Sequence, residues 1–192
     1  DDTVGLLTSA RVNRGPWALV LDVAIPHGRD LLNMADLDNY LYPLAARMRD
    51  ERLVSVWCTK RHGTVSSALV APAHETLAPE QRYTVRTTAS AQTASYKEQV
   101  RSAVADASQL RPGPVQLQIA FVVGAQRNWM NLWKPTIDSL HPLLGRTRPD
   151  REWHPNDGRI IDLSLHVHVD SSLGHDVVAS IAAEPASAET LQ

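Results

Sequence analysis

Asp36-Leu37-Asp38-Asn39 sets two carboxylates two residues apart at the start of a helix-like stretch, and Asp50 stands just ahead of an apolar run beginning at Leu53. Such carboxylates form a hard-oxygen set suited to Mg²⁺ or Mn²⁺. An ion of that kind lowers the pKa of bound water and stabilises charge developing on a phosphate. The same residues also suit a purely structural role, with Asp and Asn capping a helix and Asp50 in a turn. A second group lies further along. Asn131, Lys134 and Asp138 fall at i, i+3 and i+7 and so share one helix face. Lys134 is there a point charge able to hold a scissile phosphate or a leaving oxygen, and Asp157, just before a strand, is placed to join it. The plain alternative is an exposed i,i+4 ion pair between Lys134 and Asp138.

The elements that must position these groups repeat along the chain. "GPWALVLDVAI" (15–25) resembles "GPVQLQIAFVV" (113–123), each a Gly-Pro opening into an apolar strand. "DERLVSV" (50–56) resembles "DGRIIDL" (157–163), sharing Asp-x-Arg before β-branched residues or Leu. Between them lie "DLDNYLYPLAARM" (36–48) and "NWMNLWKPTIDSL" (128–140), both with Asn at the fourth place and Pro four residues later. Each unit reads as strand, Asn-capped helix, Asp, strand. The proline is expected in the first helical turn, where its missing N–H costs little. Ahead of the second unit, 81–88 alternates like a strand, and 95–110 has helical spacing behind a Ser95/Glu98 capping box. The first unit has only residues 1–16 in that place, read as the end of a similar helix. Residues 56–72 suggest two strands around "RHGT". The expected organisation is a partial unit over 1–73, a linker over 74–80, a complete unit over 81–170 and an acidic, linker-like tail over 171–192.

Composition sets the outer limits. The chain has 192 residues, 19 Lys and Arg, 21 Asp and Glu, and a formal charge of −2. Four of the acids and none of the bases lie beyond residue 169, leaving residues 1–169 at +2. Nucleic-acid binding is allowed by that charge but not advertised. One cysteine, Cys58, excludes an intrachain disulfide and fits a reducing, cytoplasmic setting. No apolar run approaches the ~20 residues of a membrane span, and no signal peptide is visible. The first residue is Asp rather than Met, which leaves an upstream segment open.

The second unit, with "NLWKPTIDSL" and then "NDGRI", resembles the RusA family of Holliday-junction resolvases. The core motif of that family is Asp-x-Asp-Asn, then Lys three, Asp seven and Leu nine residues after the Asn, followed by a strand opening Asp-Asp-x-x-Ile/Val. Asn131, Lys134, Asp138, Leu140, Asp157 and Ile160 match it, and Asp36-Leu37-Asp38-Asn39 in the first unit supplies the Asp-x-Asp-Asn that the second lacks. The resemblance implies an α/β (α+β) fold of two RusA-like units packed as an intramolecular pseudo-dimer in place of the family's homodimer, alone or in a higher homo-oligomer. It implies Mg²⁺-dependent cleavage of branched DNA, with Asp36, Asp38 and Asp50 as metal ligands and Lys134 and Asp157 as the catalytic positions retained in the second unit. Asn39, Asn131, Arg127, Arg146 and Arg148 are the expected DNA contacts. Tyr42 and Ala46 stand in the first unit where the motif has Lys and Asp, and Asn128 and Met130 replace the aspartate pair of the second. Three outcomes stay open: a first unit working without its lysine, a site shared between units, or a protein that binds DNA or a partner without cutting.

Other candidates have plainer readings. His166 and His168 share the outward face of a strand, where a solvated sheet surface accounts for them. Trp129, Trp133 and Trp153 sit among Lys134, Arg146, Arg148 and Arg151, a mixture suited to stacking on unpaired nucleotides, although Trp at helical spacing also builds cores. Cys58 is read as core.

Overall fold

A computed structural model describes residues 2–9, 15–33, 36–75, 82–148 and 150–186. In chain order these form α1 (Asp2–Ser9), β1 (Trp17–Ile25), α2 (Leu37–Met48), β2 (Leu53–His62), β3 (Ser67–Pro72), β4 (Tyr83–Thr87), α3 (Ala94–Ala103), β5 (Val115–Val123), a 3₁₀ turn (Trp129–Leu132), α4 (Trp133–Asp138), α5 (His141–Leu144), β6 (Ile160–Val169) and β7 (Val177–Pro185). The fold is mixed α and β, built on one seven-stranded sheet of order β3-β1-β2-β6-β5-β7-β4. Strict alternation decides which strand face turns inward. Leu117, Ile119, Phe121 and Val123 are buried along β5, and Val177, Ala179 and Ile181 along β7. Leu37, Leu41, Ala45 and Met48 of α2 join that same core.

Strand direction determines which loops meet. β1 and β2 are parallel, and β6 runs antiparallel to β2 through pairs from Ser55–His166 to Thr59–Asp162. The C-terminal ends of β1 and β2 therefore share one end of the sheet with the start of β6. The N-cap of α2, which follows β1, lies at that end, whereas Asp50, just before β2, lies at the other. β5 is parallel to β6, so the helical segment after β5 starts at the Asp50 end and runs back. There α2 and α4 meet, with Tyr42 edge-on to Trp133 at a centroid distance of 6.0 Å.

Details on the two sides of the β2–β6 pair correspond. Gly15 and Gly113 both adopt positive φ, 88° and 123°, a backbone state that a side chain would oppose. Each of the parallel pairs has one register shift, between Trp17 and Ala18 and between Val115 and Gln116. The flanking antiparallel pairs begin at Trp17–Pro72 and Val115–Pro185. Ala73 N donates to Pro16 O at 3.1 Å, and Ala186 N to Pro114 O at 3.0 Å. Asn39 N donates to Asp36 O at 3.1 Å, and Asn131 N to Asn128 O at 3.2 Å.

Several expectations are corrected. The segment read as a linker-like tail supplies β7, a full strand between β5 and β4. Its small residues masked a period-2 pattern that buries Val177, Ala179 and Ile181. The helix expected over 95–110 is α3 and ends at Ala103, and the second helix opens as a 3₁₀ turn. Pro43 falls in the second turn of α2 rather than the first, which removes the bond to the Asn39 carbonyl. Most of the expected linker lies outside the described residues. Among the described residues no helix is long and apolar enough to cross a membrane.

Candidate functional site

The site is best built from Lys134, on α4. Its Nζ stands 3.2 Å from Asp138 Oδ1, 3.2 Å from Asp157 Oδ2 and 3.8 Å from Asp38 Oδ2. Asp38 belongs to the first turn of α2, whereas the other three residues come from the second half of the chain. Residues nearly a hundred positions apart in the chain thus meet around one ammonium group. Asp138 also accepts from Lys97 Nζ at 2.8 Å, which fixes its second oxygen. The group opens into a cleft of about 500 Å³ whose wall includes Asp36, Asn39, Trp153, His154, Asn156 and Gly158.

Charge and burial work against each other here. Burial raises the pKa of Asp38, and Asp157 and Asp36 add to that, against the opposing pull of Lys134. Burial likewise raises Asp157, with Lys134 again opposing. For Lys134 burial acts to lower the pKa, but Asp38, Asp157 and Asp138 together outweigh it and hold the ammonium charged well above its usual range. A half-exposed cation ringed by three carboxylates lies where positive charge is strongly favoured.

A second lysine, missed in the sequence reading, supports the floor of the site. Lys60 on β2 is 1% exposed and donates from Nζ to the carbonyl of Gly158 at 2.7 Å. Its inward register, shared with Val56 and Cys58 along the strand, is a signal that alternation alone carries. Gly158 is itself closely approached, since a Cβ there would sit 2.5 Å from the Leu32 carbonyl oxygen. Arg159 anchors the next position, giving Nε to Gly113 O and Nη1 to Leu144 O, each at 2.8 Å, and Nη2 to Arg111 O. The start of β6 is thereby tied to both halves of the chain.

Burial pushes the Lys60 ammonium down from 10.5 to about 8, against the attraction of Asp36 and Asp157. Between those values the unfolded chain binds more protons than the folded one, so the Lys60 contribution to stability rises as pH rises from 8 towards 10.5. Comparing urea midpoints of wild type and Lys60→Met isolates this group from Cys58 and Tyr96, which titrate higher. The stability difference should move in favour of wild type by an amount on the order of 3 kcal/mol across that window. A difference that stays flat from pH 7 to 10.5 would mean that Lys60 is not held as described.

The expected site residues divide accordingly. Asp36, Asp38, Asn39, Lys134 and Asp157 are brought together. Asp50 is not among them. The twelve residues of α2, ~18 Å at 1.5 Å per residue, separate it from the cleft. It accepts from Trp17 Nε1 at 3.0 Å, and from the Arg52 backbone N at 2.8 Å and guanidinium at 3.0 Å. Although burial works the other way, these bonds hold its pKa below the ordinary range. The proposed metal triad of Asp36, Asp38 and Asp50 is therefore not assembled, because the crossing of strands sends the start of β2 away from the start of α2. Among the described residues no three His, Cys, Asp or Glu side chains are already grouped to hold a metal.

Thr147 lines the cleft, whereas Arg146 opens onto a separate hollow with Gln109 and His141 and approaches His141 Nε2 at 2.8 Å, and Arg148 is an exposed neighbour of Thr147. Arg127 reaches the Ala89 carbonyl at 3.4 Å, and Asn131 pairs with Asn128 at 3.3 Å. Both of these belong to the segment following β5, whose start lies at the end of the sheet away from the cleft. Trp129 and Trp133 are core, while Trp153 is half-buried in the cleft wall with Arg101 and Lys97 at 5.1 and 5.6 Å from its ring centroid. His166 Nδ1 lies 2.9 Å from Ser55 Oγ on the outer sheet face, and Cys58 is buried. No protein-family model matches the chain, and no curated protein does.

Proposed function

We propose that this chain is a RusA-like, Mg²⁺-dependent endonuclease acting on branched or structured DNA, with two units packed as an intramolecular pseudo-dimer. One observation carries the reading: Lys134 of the second unit lies within ion-pair distance of Asp38 of the first and of Asp138 and Asp157 of its own. Neither unit holds the whole motif, and the cleft between them does. The corresponding glycines, register shifts and strand-end bonds on the two sides of the β2–β6 pair support the pseudo-dimer.

The donor chemistry suits a hard divalent ion, since Asp36, Asp38 and Asp157 offer only carboxylate oxygens, and in this structure the Lys134 ammonium is the cation that stands between Asp38 and Asp157. Bound there, Mg²⁺ would supply a water of lowered pKa and positive charge facing the scissile phosphate. The remaining work falls to the protein. Lys134, half-exposed and held charged, is positioned to meet a non-bridging or leaving oxygen of the phosphodiester. Lys97 and Asp138 restrain it from the α3 side. Arg148, exposed next to the cleft residue Thr147, suits a flanking phosphate, a contact that fixes a strand without reading its sequence.

Calorimetric titration of Mn²⁺ into wild type and Asp38→Asn tests the ion directly. Wild type should bind and the variant should bind at least tenfold more weakly. Equal binding by the two would remove Asp38 from the ligand set. A labelled four-way junction, cut with Mg²⁺ and spared after chelation, tests the reaction. Salt-sensitive binding without cutting of junctions, flaps or single strands would instead identify a non-cleaving DNA-binding protein.

A further inference from the structure

We propose that each molecule cuts one DNA strand and leaves the other intact, so that the protein nicks a branched DNA rather than severing it in two. The inference rests on the nuclease reading and follows from what stands at the two corresponding ends of the sheet. At one end Asp36, Asp38 and Lys60 meet Lys134, Asp138 and Asp157. Applying the alignment supported by the matching strand-end and cap bonds, the places at the other end are held by Asn128, Met130 and Val167, and by Tyr42, Ala46 and Asp50.

That second set has lost its chemistry position by position. Asn128 spends its side chain on the Met130 N–H and on Asn131, both at 3.3 Å. Met130 is 2% exposed and part of the core. Tyr42 stands in the place of the lysine and packs against Trp133. Asp50, the one carboxylate left, already accepts from Trp17 and Arg52. Asn and Met cannot replace two carboxylates towards a hard dication, and Tyr carries no charge to set against a phosphate oxygen. The loss is confined to one end.

Each turnover at the complete end consumes one water. Its oxygen bonds to phosphorus, the bond from phosphorus to one sugar oxygen breaks, and that oxygen leaves with a proton. One nick results, and the opposite strand meets no equivalent group.

A supercoiled plasmid extruding a cruciform separates the outcomes. A first nick releases the supercoiling and lets the cruciform reabsorb, so a one-site enzyme accumulates nicked circles even when in excess. An enzyme cutting both strands within one binding event yields linear DNA. Nicked circles without linear product are expected, and Asn128→Ala should leave their rate unchanged. A second readout is independent of DNA cleavage: Fe²⁺ in place of Mg²⁺, with ascorbate and peroxide, cuts polypeptide close to the bound ion. Fragments should map near residues 36–38 and 157 and not near 50 or 128–131. Linear plasmid as the primary product, or fragments from both ends, would overturn the proposal. Intact plasmid under all conditions would remove the nuclease reading and this inference with it.

Discussion

Asp38→Asn should abolish cleavage of a labelled four-way junction while leaving its binding intact. Asp38 is buried and lies in the first turn of α2, beside the Asp36 that lines the cleft. On the proposed function, neutralising it would weaken the hold on an ion that activates water, whereas affinity for DNA would come mainly from Lys and Arg contacts to phosphate. Lys134→Ala should also stop cutting, by a factor on the order of 10²–10³, the usual cost of removing one preorganised charge from a developing oxyanion. Its effect on the ion should be opposite. Lys134 now sits among the carboxylates that a dication needs, so its removal takes away a competitor and Mn²⁺ should bind at least as tightly as to wild type. Cleavage retained by either variant in single-turnover assays would detach the cleft from the chemistry. Mn²⁺ binding lost in Lys134→Ala would instead show that the lysine shapes the ligand set.

Gly158→Ala should destabilise the fold and slow the reaction together. A Cβ at this position lies 2.5 Å from Leu32 O and 3.4 Å from Asn33 Cα, both backbone atoms that cannot rotate aside. Relief requires the 30–33 segment or the start of β6 to move, at a cost of about 1–3 kcal/mol by analogy with overpacked cores. Such a shift changes the spacing between Asp36 and Asp157, and misplacement on the order of 1 Å can cost about 10²-fold in rate. Gly28→Ala in the same connection is the control, because nothing lies within 4 Å of its added methyl. Urea midpoints and single-turnover rates read both effects. A Gly158→Ala protein as stable and as fast as Gly28→Ala would show that the two segments do not pack as described.

Much of this arrangement was legible in the sequence, though unevenly. The Gly-Pro and Asp-x-Arg signatures located β1, β2, β5 and β6, because positive-φ glycines and strand starts leave local marks. The convergence of Lys134 with Asp157 was also within reach, since only 23 positions separate them. What sequence could not assign was which strand-start aspartate serves which helix start. The antiparallel β2–β6 pair pairs Asp38 with Asp157 and removes Asp50, and that is a property of strand order rather than of any nearby residue. Lys60 escaped because a lysine in an apolar strand is commonly taken to snorkel, although its alternation with Val56 and Cys58 already marked it as inward-facing. β7 escaped because Ala and Ser carry little β-propensity of their own, and its stability comes from ladders on both sides.

The β2–β6 ladder that joins the two halves has a consequence for working concentration. Where complementary parts of a site reside on separate subunits, the fraction of complete sites falls on dilution as mass action dictates. Here Asp38 and Lys134 are carried by one polypeptide and one continuous sheet, so their encounter is intramolecular. A single copy of the chain holds the complete cleft however scarce its neighbours are.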